Sequence, residues 1–320
     1  MYHTHRILTL LIAFSLPLLM ISCDDSTSSN DDLSDVPELP PFQDMALATG
    51  IFTQGGFGGE QEALQKQLAD PDHPEASLSG SSQLRDSFDE QPAIADEPGT
   101  PAFILASTLV NNYQTAFFTH LQYANTFTSQ VNPGNAEMSD DEYVWELEIE
   151  DQELDETVSI TVTANTSNDA VEWVAIASSD ASEGGIAEQQ VIDATTSADG
   201  RSGEWTVSLY QEEFEFDYES TITWEFGDDA LEMLDLTFDM SEGGEEFYFL
   251  VDGFYNLEQP VASITDGQFR SSELTDEGLQ TDVDITEIFD LTWDVEQGDG
   301  SLEMDGVTMC WDETQADTDC

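Results

Sequence analysis

The stretch from Pro98 to Ala136 contains no Asp, Glu, Lys or Arg, although the 320-residue chain contains 69 acidic residues. Composition alone would place about eight acids in a stretch of this length. Where acidic side chains are the default at the surface, their absence marks a segment that folds into the interior. We call residues 98–136 the acid-free stretch, and we expect the rest of the fold to be organised around it.

The acid-free stretch has the pattern of a buried helix. Thr100-Pro101 supplies a capping hydroxyl and a first-turn proline, and Asn132-Pro133-Gly134 supplies a stop. Apolar residues between them recur at helical spacing and spread beyond a single stripe. A membrane span is excluded because hydrocarbon would not accept polar side chains such as Asn112 and His120 without partners. The pattern predicts a buried helix over Ala102–Val131.

Short segments that alternate between apolar and polar side chains follow the predicted helix. In residues 143–149, Tyr, Trp, Leu and Ile alternate with Val and acids, and similar segments separated by turns continue to Trp311. Such alternation is typical of an antiparallel meander with one core-facing and one solvated side. Residues 256–280 show a weaker pattern, and we interpret them as a looser region. The tryptophans predicted to lie in the core are Trp145, Trp173, Trp205, Trp224 and Trp293.

About nine or ten such strands would curl rather than stay flat. We predict an α+β fold in which a buried helix packs against a curled antiparallel β meander, an open or closed barrel, in a single domain over residues 98–320. A β-sandwich with the helix on one side is the alternative. The order of elements resembles the half-barrels of periplasmic lipoprotein carriers and related lipid-binding lipoproteins. That resemblance implies a lipid or other apolar ligand between helix and sheet.

The charge of the chain limits its solvent and its partners. The formal net charge is -64, with only five Lys and Arg residues, so that self-repulsion destabilises the compact state in dilute buffer. At about 1 M salt the Debye length falls to about 3 Å and surface carboxylates scarcely repel one another. The composition resembles that of proteins from extreme halophiles; a cation-buffering acidic protein is the alternative. Nucleic acid is disfavoured as a partner because its phosphates would be repelled.

The N-terminus predicts export. Met1–Arg6 is basic, and Ile7–Ile21 is apolar but short and contains a proline, which indicates a signal peptide over residues 1–22 rather than a membrane span. Its end, Met20-Ile21-Ser22-Cys23, resembles the bacterial lipobox, with Met20 where leucine is usual. The resemblance implies cleavage before Cys23, a lipid on its thiol and attachment to a membrane of the cell envelope. An ordinary signal peptide with an incidental cysteine is the alternative.

Residues 23–97 are interpreted as a lipidated acidic tether and a mostly irregular linker. Asp24–Asp35 is rich in Asp and Ser, and Val36–Pro41 contains three prolines, so neither segment is expected to pack into a core. Glu60–Ala69 could form three helical turns. Acidic residues after a lipidated cysteine act as sorting signals, and we favour the outer membrane or the cell surface, with the leaflet left open.

The three cysteines fit this interpretation. If Cys23 carries lipid, Cys310 and Cys320 remain as a pair near the C-terminus. An exported compartment permits a disulfide between them, which would contribute about 2–3 kcal/mol by loop entropy. Two free thiols are the alternative.

Motifs for chemistry are missing from the sequence. No nucleophile elbow, P-loop or calcium-loop motif occurs, and we predict no catalytic residue, no metal site and no cofactor. Acidic runs such as Asp282–Asp284 and Asp294–Asp305 could ligate calcium but lack the loop spacing. His73 lies in a predicted turn, and His120 is interpreted as a core histidine hydrogen-bonded to a neighbour rather than a catalytic one.

Two functions remain. The first is a membrane-anchored lipoprotein with a structural or interaction role; the second is a half-barrel that binds an apolar ligand. A cavity of several hundred Å³ between helix and sheet would favour the second, and a filled interior would favour the first.

Overall fold

The computed structural model describes residues 36–53, 101–128, 130–139, 142–151, 156–167, 170–179, 188–211, 216–227, 230–242, 247–272 and 284–320. The predicted signal peptide, Cys23, the predicted helix Glu60–Ala69, His73 and most of the acidic run Asp282–Asp284 lie outside the described residues.

The described helices are two short 3₁₀ turns and two α-helices. The 3₁₀ turns are Phe42–Asp44 and Pro133–Asn135; α1 is Gly50–Thr53 and α2 is Ala102–Thr128. The strands are β1 Glu137–Ser139, β2 Glu142–Asp151, β3 Glu156–Ser167, β4 Ala170–Ser179, β5 Gln189–Ser197, β6 Ser202–Gln211, β7 Phe216–Phe226, β8 Leu231–Glu242, β9 Phe247–Glu258, β10 Val261–Ser272, β11 Asp284–Asp294, β12 Gly300–Met304, β13 Val307–Trp311 and β14 Asp317–Thr318.

The 14 strands form one sheet in chain order, and every neighbouring pair is antiparallel. The predicted meander is therefore confirmed, with more strands than the nine or ten expected and in one sheet rather than in the two of a sandwich. α2 contacts β5 to β9 as well as β12 and β13, so the sheet curls around the helix. The sheet is open, because β1 and β14 do not pair with each other in the part of the chain that the structure describes.

α2 confirms the buried helix that the acid-free stretch predicts. It begins at Ala102 as expected and ends at Thr128, three residues before the predicted end. Asn132, predicted as part of the stop, caps the following 3₁₀ turn by accepting a hydrogen bond from the Gly134 backbone. The α2 side chains with at most 1% exposure are Ala106, Leu109, Val110, Asn112, Tyr113, Ala116, Phe117, His120, Leu121, Ala124 and Thr128. Since apolar and neutral residues cover most of its circumference, α2 is a core element.

The tryptophans lie in this core, as predicted. All six are at most 1% exposed, and five of them satisfy the indole N–H by donating to an oxygen. The acceptors of Trp145, Trp224, Trp293 and Trp311 are the carbonyl oxygens of Asn132, Gly200, Ala48 and Gly298, and that of Trp173 is the Thr196 hydroxyl. A buried tryptophan without such an acceptor would lose the hydrogen bond it makes to water in the unfolded chain.

The boundary between tether and domain requires a correction. Residues 36–53, here called the N-terminal segment, belong to the folded core rather than to the tether, because Val36, Phe42, Met45, Leu47 and Phe52 are all buried there. The chain turns tightly at Pro40 and Pro41, whose carbonyl oxygens accept from the backbone N–H groups of Phe42 and Asp44, and apolar side chains that follow pack beside tryptophans. The folded domain therefore includes residues well before Pro98.

Specific contacts hold the N-terminal segment in place. The Phe42 ring meets Trp205 edge-on at 5.2 Å between centroids, and Phe52 meets Trp293 in the same way at 5.4 Å. The backbone of Ala48 bonds on both sides: its N–H donates to the Tyr255 hydroxyl at 3.0 Å, and its carbonyl accepts from Trp293 at 2.9 Å.

The interpretation of residues 256–280 as a looser region is also wrong for the residues described. β9 continues to Glu258 and β10 occupies Val261–Ser272. A bulge at Asp266, whose φ is 51°, shifts the register between Ile264 and Gly267. Because the extra residue reverses which positions face inwards, the alternation changes phase within the strand and becomes hard to see in the sequence.

Candidate functional site

The buried contact between α2 and β7 is the strongest candidate site, since it places a histidine among hydroxyl groups inside an apolar core. His120 is fully buried, and its Nδ1 lies 3.1 Å from the Ser220 Oγ. The Ser220 hydroxyl donates its single hydrogen to the Thr237 carbonyl oxygen at 3.1 Å. Ser220 must therefore accept from His120, so the proton of the ring is on Nδ1 and Nε2 is a bare acceptor.

The environment keeps this imidazole neutral. Burial lowers the pKa of His120 to about 3, and a hydrogen bond with the Ser220 backbone opposes the shift only in part. Within the described residues, Nε2 has no hydrogen-bond partner. A neutral, enclosed histidine has no access to a substrate in solution, which agrees with the interpretation of His120 as a core histidine bonded to a neighbour.

Two tyrosines complete the cluster. The rings of Tyr123 on α2 and Tyr218 on β7 lie 4.6 Å apart between centroids. Burial raises the pKa of Tyr123 to about 12 and that of Tyr218 well above its ordinary value, so both hydroxyls stay protonated. The Tyr218 hydroxyl lies close to Ser220 but makes no hydrogen bond of good geometry with any described residue.

Asn112 presents a further unsatisfied group on α2. Its side chain is 1% exposed, and neither its amide nitrogen nor its amide oxygen has a partner among the residues described. A buried polar group without a hydrogen bond costs about 1–3 kcal/mol, and such groups are often satisfied by internal water. Among the described residues, His120, Tyr218, Asn112 and the indole N–H of Trp205 are thus the buried polar groups that could still take a hydrogen-bond partner.

The outer face of the sheet has a different character. A groove of about 460 Å³ runs over β5, β6 and β7, open to solvent. Asp193, Glu204 and Glu219 contribute carboxylates to it, and Thr206 and Ser208 contribute hydroxyls. The lining of this groove is mostly polar, which suits it poorly to a lipid chain. The described residues contain no group of three or more His, Cys, Asp or Glu side chains arranged to hold a metal ion.

Like charges crowd the outer face nearby. Burial raises the pKa of Asp235, and the neighbouring carboxylate of Asp252 raises it further. Burial also raises the pKa of Asp239, against the hydrogen bond it accepts from the Tyr248 hydroxyl at 3.2 Å. Arg270, one of the chain's five basic residues, lies 5.2 Å from the Tyr248 ring centroid. Repulsion between these carboxylates therefore destabilises the outer face at low ionic strength.

The remaining predicted site residues lie at the two ends of the chain. Cys310 and Cys320 are joined in a disulfide with their Cα atoms 5.3 Å apart. Cys23, the predicted site of lipid attachment, lies outside the described residues. Ser220 was not predicted from the sequence as part of a site. A serine at a core-facing position of β7, between Tyr218 and Ile222, was the available signal for a buried polar partner.

Of the helices described, none is long and apolar enough to cross a membrane. No family model, no curated protein and no solved structure matches this chain.

Proposed function

We propose that the chain is an exported, lipid-anchored protein of the cell envelope, whose domain serves as a structural or interaction module. The observation that carries the proposal is the filling of the curled sheet by the chain's own helix. The side chains of α2 that face the sheet, such as Tyr113, Phe117 and Leu121, are fully buried. A sheet that is already filled presents its outer, acidic face to partners.

The energy of this packing supports the proposal. Burying one large apolar side chain contributes about 1.5–3 kcal/mol, and α2 buries many of them along 27 residues. An apolar ligand would have to displace that helix or find space beside it. The N-terminal segment makes displacement of α2 by a ligand still less favourable, since Phe52 packs against both Phe103 of α2 and Trp293 of β11.

The proposed lipid anchor is attached at Cys23. Between Cys23 and Val36, which is buried in the domain, lie 12 residues. The extended chain from Cys23 to Val36 spans at most about 47 Å. A lipid on Cys23 would therefore keep the domain near the membrane surface, with the N-terminal segment as the point where the tether joins the core.

Metabolic labelling with an alkyne fatty acid tests the anchor. We expect label on the wild-type chain and on a variant carrying Cys310→Ser and Cys320→Ser, and none on Cys23→Ala. Label that persists on Cys23→Ala, or that is missing from the wild type, would overturn the lipid anchor.

A second candidate function, a binding module for a lipid or other apolar ligand, is favoured by one observation. The bare Nε2 of His120 and the unpartnered amide of Asn112 are polar atoms inside the core. The head group of an amphipathic ligand could satisfy them. Native mass spectrometry of full-length Cys23→Ala separates the two functions, because the covalent lipid is then lost and any remaining lipid mass is a ligand. If the interior is filled by α2, no lipid should remain bound to the protein. A lipid bound at one molecule per chain would establish the binding module.

A further inference from the structure

We propose that the Cys310–Cys320 disulfide is a redox-sensitive clamp that holds a capping carboxylate, Asp317, on the N-terminus of the buried helix α2. The inference is independent of the proposed function, since it rests on contacts between the C-terminus and the first turn of α2.

The first observation is the hydrogen bond between the two segments. The Asp317 Oδ1 accepts from the backbone N–H of Ala102 at 2.9 Å, across 215 positions of sequence. The first N–H groups of a helix have no partner within it, and a carboxylate there also interacts favourably with the helix dipole. The first turn of α2 contains no acid of its own. Asp317 therefore supplies the carboxylate that the first turn of α2 does not contain.

The second observation is that the strand carrying Asp317 is short. The turn before it is held by the Asp312 carboxylate, which accepts from the backbone N–H groups of Thr314 and Ala316, and the residues after it are held by the disulfide. β14 has two residues, and it pairs with β13 only through Trp311–Asp317 and Cys310–Thr318. So short a strand at the edge of a sheet is not stable by its own pairing. The disulfide joins Cys310 of β13 to Cys320, two residues beyond β14, and so closes the loop that contains Asp317.

The third observation is the packing beneath the clamp. Trp311, the residue after Cys310, meets Phe103 of α2 edge-on with centroids 5.8 Å apart. Phe52 of α1 stacks on the same Phe103 ring at 5.5 Å and meets Trp311 at 6.2 Å. One aromatic cluster thus joins the start of α2, the end of β13 and the N-terminal segment. Its packing should change if the first turn of α2 loosens.

The chemistry is a reversible two-electron exchange. Cys320 is exposed, so an external dithiol can reach the bond. The dithiol transfers two electrons and two protons: the S–S bond breaks, Cys310 and Cys320 become thiols, and the reductant becomes a disulfide. With the loop open, Asp317 is no longer held at Ala102 and the first turn of α2 loses its charged acceptor.

Hydrogen exchange of the full chain, read by mass spectrometry in high salt, tests the clamp. Reduction is expected to raise exchange in residues 102–106 by a factor of about 5 to 30, the effect of losing a helix cap. In the oxidised protein, Asp317→Ala should produce the same rise, and Asp317→Asn, which keeps an oxygen acceptor, should largely restore protection. Asp319→Ala is the matched control, since it removes a neighbouring exposed carboxylate, and it should change nothing.

The decisive comparison is reduction of the Asp317→Ala protein. If the disulfide acts through Asp317, reduction adds no further exchange at residues 102–106. Unchanged exchange on reduction of the wild type, or fully additive effects of reduction and Asp317→Ala, would overturn the clamp. Because reduction is carried out on folded protein, the result does not depend on whether a cysteine variant folds.

Discussion

The hydroxyl of Tyr113 on α2 donates to the carbonyl oxygen of Gly253 on β9 at 2.9 Å and also lies 3.3 Å from the Leu234 carbonyl oxygen. Both carbonyls belong to the sheet that encloses the helix. A Cβ at Gly253 would lie 3.2 Å from the Gly267 Cα and 3.3 Å from the Tyr113 ring. The missing side chain of Gly253 therefore allows the centre of α2 to sit directly on the backbone of the sheet.

Removing the hydroxyl in Tyr113→Phe should destabilise the domain by about 1–2 kcal/mol, because two buried carbonyl oxygens lose a donor while the ring stays in place. Urea unfolding in high salt measures this, with the slope of the transition unchanged. Tyr210→Phe is the control, since Tyr210 is 52% exposed and should show no effect. Equal stability of the Tyr113→Phe and Tyr210→Phe proteins would contradict the role of the contact.

Gly253→Ala should cost about 1–3 kcal/mol, because the added methyl group meets the Gly267 backbone and the Tyr113 ring at once. Gly50→Ala is the matched control: a Cβ there meets nothing within 4 Å, and the residue lies in α1, where alanine is preferred to glycine. The midpoints of thermal unfolding should fall for the first variant alone. A neutral Gly253→Ala would show that the helix does not rest on the sheet at this point.

The stability of the domain should depend on pH through His120. Its pKa in the folded protein is lowered to about 3, against 6.5 as the ordinary value. The unfolded chain therefore binds the proton first, and the stabilisation by neutral His120, complete above about pH 6.5, is lost as the pH falls towards 3.

Comparison of the wild type with His120→Gln isolates this histidine from the many carboxylates. Between pH 7 and pH 5 the wild type should lose about 2 kcal/mol more than the variant, measured by denaturant unfolding in molar salt. Parallel pH profiles for the two proteins would show that the imidazole is not held neutral by burial.

Salt should determine whether the domain is folded at all. At a net charge of -64, carboxylates such as Asp235 and Asp252 repel each other once screening is removed. Dialysis into low salt is expected to abolish the β-sheet signal in circular dichroism, and Asp235→Asn should shift the midpoint to lower salt. A spectrum that stays the same in low salt would sink the halophile interpretation.

The elements that could be predicted from the sequence are those whose burial is visible in the pattern of neighbouring residues. In a chain this acidic, a charge-free run indicates burial, and the helical spacing of residues such as Leu105, Leu109 and Tyr113 is visible without any partner. The tryptophans were likewise predictable because each lies on the apolar side of an alternating strand.

The features that the sequence does not predict have physical causes. The strand pattern of β10 is not recognisable in the sequence because the bulge at Asp266 changes the phase of its alternation. The sequence does not reveal that the N-terminal segment packs into the core, because its buried residues, from Val36 to Phe52, follow no regular period. The contacts of the candidate site join residues far apart in sequence: His120 and Ser220 are separated by 100 positions, and Ala102 and Asp317 by 215. Only the register of the sheet brings such pairs together.

Hydrogen exchange of the α2 backbone tests whether this helix permanently fills the curled sheet. Residues 105–127 should exchange among the slowest in the chain, near the rate of global unfolding, and added phospholipid vesicles or free fatty acid should not change that rate. Fast exchange across α2, or exchange that accelerates when lipid is added, would contradict permanent filling, because the helix would then be a displaceable occupant of a ligand site.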